Sequence, residues 1–435
     1  MKIWRRLALL AGVTALATTA IAQPAQQKVT GPVAVYWMSA ATQTGFGMPG
    51  MGGAGGRPSM GQMMNMMRGG GGAQHSLTLQ LGSSRKAAGG PEAAHLPPQG
   101  LQAGSSLPLL TPVAQVREPE REAPPSIPKE FQKPRGRMLI FWGCGEHAKP
   151  GQPIVIDFAQ MTAGKIPPGM EALSRGVGAR AMQPPSAGRN ATYGEWPNAR
   201  TRTSVPGQGS LVGSHVVQGN YSPEISFALN GSQDFLGPLN LTTNSKTPSG
   251  AGLLGWNPVS GAQAYLASAI GGGQNETVVL WSSSEAQAAA FAMPDYISPG
   301  DLSRLVASRA LMGPQTTRCT VPKEVLDAAP QAMVQMVAYG GEANFVYPPR
   351  PANPKVAWNQ EWTVKVRYRS ATGGLLGMSM PGMGGGDDED GPPRRGGYRG
   401  PNAEQEAAPE TPEEAKAARR KALMKGLGGM MGLPN

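Results

Sequence analysis

The stretch "LLGWNPVSGAQAYLASAIGGGQNETVVLWSSS", residues 253–284, decides the reading of the fold. Its apolar residues fall into three short runs, 253–256, 264–270 and 277–281, and the gaps between them hold "NPVSG" and "GGGQN". Runs this short, rich in Leu, β-branched and aromatic residues and punctuated by Gly, Pro and Asn, predict strands joined by turns. The same pattern recurs outward along the chain at 33–38, 76–81, 137–142, 153–158, 214–217, 224–229, 333–339 and 362–368. Many short strands with few helical patterns predict a mainly β chain, and specifically a β-sandwich.

Within that stretch, Trp256, the turn from Pro258 to Ala262, and Tyr265 stand where fibronectin type III domains carry a core tryptophan, a Pro/Gly-rich turn and a tyrosine. Residues 253–284 therefore resemble the B and C strands of that family. The resemblance implies a fibronectin III/immunoglobulin-like sandwich and a binding or spacing role rather than catalysis. A helix predicted over 298–313 departs from the simple seven-stranded domain. With "RCTVP" and "EANFVYPPRP", the whole chain also resembles exported proteins of high-GC proteobacteria, which implies an envelope location and no particular activity.

The start of the chain reads independently as an export signal. Lys2, Arg5 and Arg6 precede an apolar run from Leu7, which ends in Ala20-Ile21-Ala22, and cleavage is expected after Ala22. The run is too short for a membrane span, and no later segment is long and apolar enough to be one. Loss of this leader takes the formal charge from +11 to +8. In an envelope that excess favours lipid head groups or acidic polysaccharide, and nucleic acid is not expected. The expected location is periplasmic or secreted, and the expected partner is an envelope protein or a membrane surface.

The expected organisation follows composition, since 61 Gly and 42 Pro make the chain loop-rich. After the signal peptide at 1–22 come N-terminal strands at 23–84, interrupted by a Met/Gly-rich loop at 45–74 that closes a long hairpin. A Pro/Gly-rich linker is expected at 85–135 and a sandwich body at 136–370, with two lobes dividing near 235–250. A disordered linker at 371–410 and a terminal helix at 411–427 complete the series. The helix at 298–313 has Ser298 as N-cap, Pro299 at its first position, an apolar stripe of Leu302, Leu305 and Val306, and Gly313 as a stop. In the terminal helix, Thr411 and Glu414 form a capping box.

Three strand ends share a motif, "VYWMSA", "IFWGCG" and "VLWSSS", which is either an internal repeat of three related strands or tryptophan closing buried strands before turns.

Candidate chemistry is sparse. Cys144 and Cys319 are the only cysteines, and an even pair in an oxidising compartment predicts one disulfide. Closing so long a loop stabilises by up to about 5 kcal/mol in the chain-entropy account. Cys144 also neighbours Glu146 and His147, as a nucleophile or half a metal site would, but no motif supplies the remaining ligands. The four histidines show no HxH or HExxH spacing, and no nucleophile elbow or phosphate-binding loop occurs. Met60, Met63, Met64 and Met67 would stack four thioethers on one helical face. Soft thioethers suit Cu(I), and they equally suit adaptable apolar docking or a passive loop. The strand "WTVKVRYR" separates Trp362, Val364, Val366 and Tyr368 from Thr363, Lys365, Arg367 and Arg369. Its cationic side reads either as a stripe for an anionic partner or as a solvated face that discourages edge pairing.

The functional expectation is a non-catalytic exported cell-envelope protein that binds through the Met-rich loop and the sandwich surface, with no cofactor. One alternative is a periplasmic Cu(I)-binding or copper-tolerance protein. Another is a hydrolase or carbohydrate-active enzyme whose site is assembled from distant residues.

Overall fold

The computed structural model describes residues 27–45, 72–112, 136–158, 182–287 and 293–378. The leader at 1–22, the methionines Met60, Met63, Met64 and Met67 with the Cu(I) expectation attached to them, and the helix at 411–427 lie outside these residues.

In chain order the strands are β1 (Val29–Thr30), β2 (Ala34–Gln43), β3 (Gln74–Ser83), β4 (Ala93–Leu96), β5 (Leu107–Pro108) and β6 (Arg137–Trp142). They continue with β7 (Ile154–Asp157), β8 (Thr192–Trp196), β9 (Gly213–Gly219), β10 (Ile225–Leu229), β11 (Leu241–Lys246) and β12 (Gly252–Trp256). The last are β13 (Ala262–Gly272), β14 (Thr277–Ser282), β15 (Arg318–Val321), β16 (Met333–Tyr347), β17 (Trp358–Asn359) and β18 (Trp362–Leu375). Two helices are described, α1 (Pro299–Ala307) and α2 (Lys323–Ala328). The chain is thus mainly β, with several mixed sheets.

One sheet of nine strands, ordered β7-β6-β14-β13-β16-β18-β2-β3-β8, forms the base. Two of its pairings, β6 with β14 and β2 with β18, are parallel and the rest antiparallel. Alternation divides each strand between two faces. The inner face carries Tyr36 and Met38, Leu79 and Leu81, Tyr265, Trp281, Met336 and Val366, all buried in one core. Over that face lie a four-stranded sheet, β10-β9-β4-β5, and a three-stranded sheet, β11-β12-β15, which contribute Val217, Phe227, Leu254 and Trp256 to the same core. On the outer face a second cluster forms where Leu302 and Leu305 of α1 pack on Ala264, Leu266 and Tyr339.

The expected hairpin around the Met/Gly loop is present, because β2 and β3 pair antiparallel from Ala34 with Ser83 to Gln43 with Gln74. They do not form a separate N-terminal unit: β2 continues the main sheet beside β18. Among the described residues no division falls at 235–250, where Leu236 and Leu239 are buried in the shared core.

The linker expected from residue 85 is, as far as 112, part of the fold. Leu101, Leu107 and Leu109 are buried, and β4 pairs with β9. Proline misled here: Pro108 lies on β5, the outermost strand of the four-stranded sheet, where a missing N–H costs no ladder bond. Gly194 of β8 admits the segment, since a Cβ there would come within 2.7 Å of the Leu109 carbonyl oxygen and 2.6 Å of the Tyr221 hydroxyl. At the other end, the linker expected from 371 begins inside β18, with Ala371 and Leu376 buried.

Helix α1 begins as read, with Ser298 accepting from the backbone N–H of Asp301, but it stops at Ala307 rather than running to Gly313. Arg309 takes a left-handed backbone conformation that ends the helix and returns Ala310 and Leu311 to the outer cluster. The three tryptophan motifs are not equivalent. Trp281 faces the core, whereas Trp37 lies on the opposite face of β2 from buried Tyr36, and Trp281 is paired with Phe141 rather than with Trp142.

Candidate functional site

Cys144 and Cys319 form the expected disulfide, with Cα atoms 5.4 Å apart. It ties the turn after β6, at one end of the main sheet, to β15 of the three-stranded sheet. Beside it His147 Nδ1 lies 3.0 Å from Glu324 Oε1 on α2, and Lys149 pairs with Glu285. With both sulfurs in the bridge, no thiolate is left for a nucleophile or metal ligand. Among the described residues no group of three or more His, Cys, Asp or Glu is arranged to hold a metal ion.

Two clusters of polar side chains do assemble from distant parts of the sequence, and both are anchored on β2. The first is buried. His215 Nε2–H donates to the Leu211 carbonyl at 2.7 Å, which leaves His215 Nδ1 to accept from His95 Nε2–H at 3.1 Å. His95 Nδ1 then accepts from the Tyr36 hydroxyl at 2.9 Å. Only neutral tautomers satisfy this chain, because the carbonyl can only accept. Burial, with the adjacent His215 imidazole adding to it, holds His95 well below the usual histidine range. Burial lowers His215 as well and drives the Tyr36 hydroxyl well upward. His215 stacks on Phe227 with ring centroids 5.0 Å apart. The relay therefore bonds β4 and β9 of the four-stranded sheet to β2 of the main sheet. Every nitrogen in it is engaged, so it is a structural cross-tie with no free base.

The second cluster lies on the outer face of β18. This strand is central, flanked by β16 and β2, so its charges guard no edge, and they are only partly exposed. Lys365 pairs with Glu342 of β16, whose side chain is 4% exposed. Arg369 Nη1 pairs with Asp295 Oδ1 at 2.5 Å. Arg367, between them, has no carboxylate partner among the described residues. Its Nε donates to Ser39 Oγ at 2.7 Å, and its Cζ lies 4.9 Å from the Trp37 ring and 4.3 Å from the Tyr296 ring. Each cation–π contact is worth about 0.5–2 kcal/mol depending on desolvation. Burial pulls the Arg367 guanidinium down from its usual value, although an arginine stays charged. Burial also opposes the charge on Arg369, but Tyr296 and Asp295 outweigh it and the net shift is upward.

Beside this cluster runs a groove of about 400 Å³ lined by Val35, Trp37, Val346, Thr363 and Lys365 among others. Lys365 Nζ lies over the same Trp37 ring at 5.6 Å. A second groove, of about 560 Å³, opens between the β13–β14 turn and the end of α2, with Arg137, Asn275, Thr277 and Asp327 in its lining. Neither groove brings two carboxylates together for acid–base chemistry.

The alternation of "WTVKVRYR" placed Lys365, Arg367 and Arg369 on one face, as the structure has them. What covers that face was not legible: Trp37, Tyr296, Asp295 and Glu342 come from three other segments. Likewise the burial of His215 follows from its position two residues from Val217 on β9, but its pairing with His95 leaves no mark in either segment. No known protein family, no curated protein and no solved structure matches the chain.

Proposed function

We propose that the chain is a non-catalytic exported protein of the cell envelope, periplasmic or secreted, that binds an anionic ligand on the outer face of its main sheet. One observation carries this reading: Arg367 is held between two aromatic rings, with no ion-pair partner among the described residues, beside a groove on a central strand. A partly buried cation is costly unless something compensates its charge. Here both neighbouring cations have carboxylates, so the position left open is suited to a ligand's anion. Export is supported by the leader-like start and by the disulfide, which suits an oxidising compartment. No helix among the described residues is long and apolar enough to cross a membrane. The same proposal keeps the fibronectin III/immunoglobulin-like sandwich for residues 253–284. Its support is that β12 and β13 fall in different sheets across one core, with Trp256 packed 5.7 Å from Tyr265.

The test is calorimetric titration of the full chain with acetate, octanoate, polygalacturonate and vesicles of anionic phospholipid, each against a neutral counterpart. At least one anion is expected to saturate, and Arg367→Gln is expected to weaken it by about tenfold. If no anion is preferred over its neutral counterpart, the binding reading fails. Export is tested separately, by fractionating cells and measuring whether the chain begins at Gln23.

A further inference from the structure

The anion-binding reading fixes a charge, and the groove beside it adds a shape. Its lining sets Val35, Trp37 and Val346 beside the uncharged polar Asn344, Gln360 and Thr363, and among the described residues it holds no carboxylate and has Lys365 as its one cation. Arg367 follows two residues later on the same face of β18, about 7 Å further along the strand. Both cations lie over the Trp37 ring, which therefore joins the apolar groove to the charged cluster. Among the described residues of the cluster Lys365, Arg367 and Arg369 face Glu342 and Asp295, so the surplus is a single positive charge. One monoanion neutralises that surplus, whereas a phosphate dianion overshoots it.

We propose, resting on the anion-binding reading, that the groove and Arg367 form one site for an amphipathic monocarboxylate. The apolar body lies along Val35, Trp37 and Val346, and the carboxylate is taken by the terminal nitrogens of Arg367, which make no hydrogen bond among the described residues. The planar guanidinium suits this role because its fork matches the two carboxylate oxygens, while Trp37 and Tyr296 hold its plane. Lys365, tied to Glu342, supplies field at the groove and is a secondary contact. An acidic polysaccharide brings carboxylates but no apolar body to fill the groove, so it is the less complementary ligand.

The experiment is titration of the full chain with acetate, hexanoate, octanoate and decanoate below their micelle concentrations, and with octanol as the neutral analogue. Affinity is expected to rise about fourfold per added methylene until the groove is filled, and then to level. Octanoate is expected to bind about tenfold more tightly than octanol, with Arg367→Gln removing that preference and leaving octanol binding in place. A groove-filling Val346→Trp variant, checked for a native circular-dichroism spectrum, is expected to lose the chain-length dependence. The series on the unaltered protein stands without that variant. Equal affinity from acetate to decanoate, or Arg367-dependent binding of polygalacturonate with none of octanoate, overturns the monocarboxylate and leaves the anion reading standing. No preference for any anion over its neutral counterpart overturns both.

Discussion

Tyr36 and Trp37 are neighbours on β2, yet they anchor two polar clusters built on opposite principles. Tyr36 points inward to His95 and His215, where three groups are buried, uncharged and mutually satisfied. Trp37 points outward to Lys365 and Arg367, where charges are retained and Arg367 makes no ion pair among the described residues. A closed neutral chain has nothing to offer a ligand, and removing any member strands the others. An open charged cluster has been stabilised only in part, by rings and a hydroxyl, and gains from a ligand that completes it. The difference separates polar groups that hold the sheets together from polar groups that the proposed site would use.

The contrast is broken most severely from the inside. His95→Leu leaves the Tyr36 hydroxyl without its acceptor and His215 Nδ1 without its donor, both buried. At about 1–3 kcal/mol for each orphaned group, a loss of about 2–6 kcal/mol is expected, measured as the urea midpoint at pH 7.5. A loss under about 1 kcal/mol would show that the relay is not a cross-tie.

Acidity attacks the same cluster more gently. His95 and His215 have folded pKa values below the ordinary value near 6.5, and half-buried His75, stacked on Phe235 at 3.9 Å, is lowered by burial too. Below about pH 6.5 the unfolded chain therefore binds protons that the fold refuses. The stabilisation is complete above that pH and is lost as the pH falls toward the lowered folded values. The slope is up to about 1.4 kcal/mol per pH unit for each histidine. Urea midpoints at pH 7.5, 6.0 and 5.0 should fall steadily, and less steeply in His95→Leu; a level profile in the parent protein rules the mechanism out.

How much of this was legible depended on whether a signal was local. Periodicity separated Val364, Val366 and Tyr368 from Lys365, Arg367 and Arg369, because alternation is a property of one strand. The cap of Ser298 on α1 was legible for the same reason. Helix α2, only a turn and a half long, carries too short a pattern to register, although Pro322 and Glu324 mark its start. The segment up to 112 looked like linker because Pro and Gly signal turns equally well in an ordered wrap, and only burial of Leu101 and Leu107 distinguishes the two. Both polar clusters were invisible as clusters. Tyr36 meets His95 across 59 positions and His95 meets His215 across 120, and no spacing rule connects residues brought together by sheet packing.

The smallest change in stability is expected on the outer face of the sheet. Arg367→Met gives up two ring contacts and the bond to Ser39, but it also removes a partly buried cation that makes no ion pair among the described residues, so the terms oppose one another. Stability at pH 7.5 is expected to change by no more than about 1 kcal/mol in either direction, with the acid sensitivity of the parent retained, since the histidines lie across the sheet. Octanoate binding should nevertheless weaken about tenfold, to the level of octanol. A residue that costs the fold little and the ligand much is placed for binding; a penalty of about 3 kcal/mol or more would instead put Arg367 among the groups that hold the sheet, alongside His95.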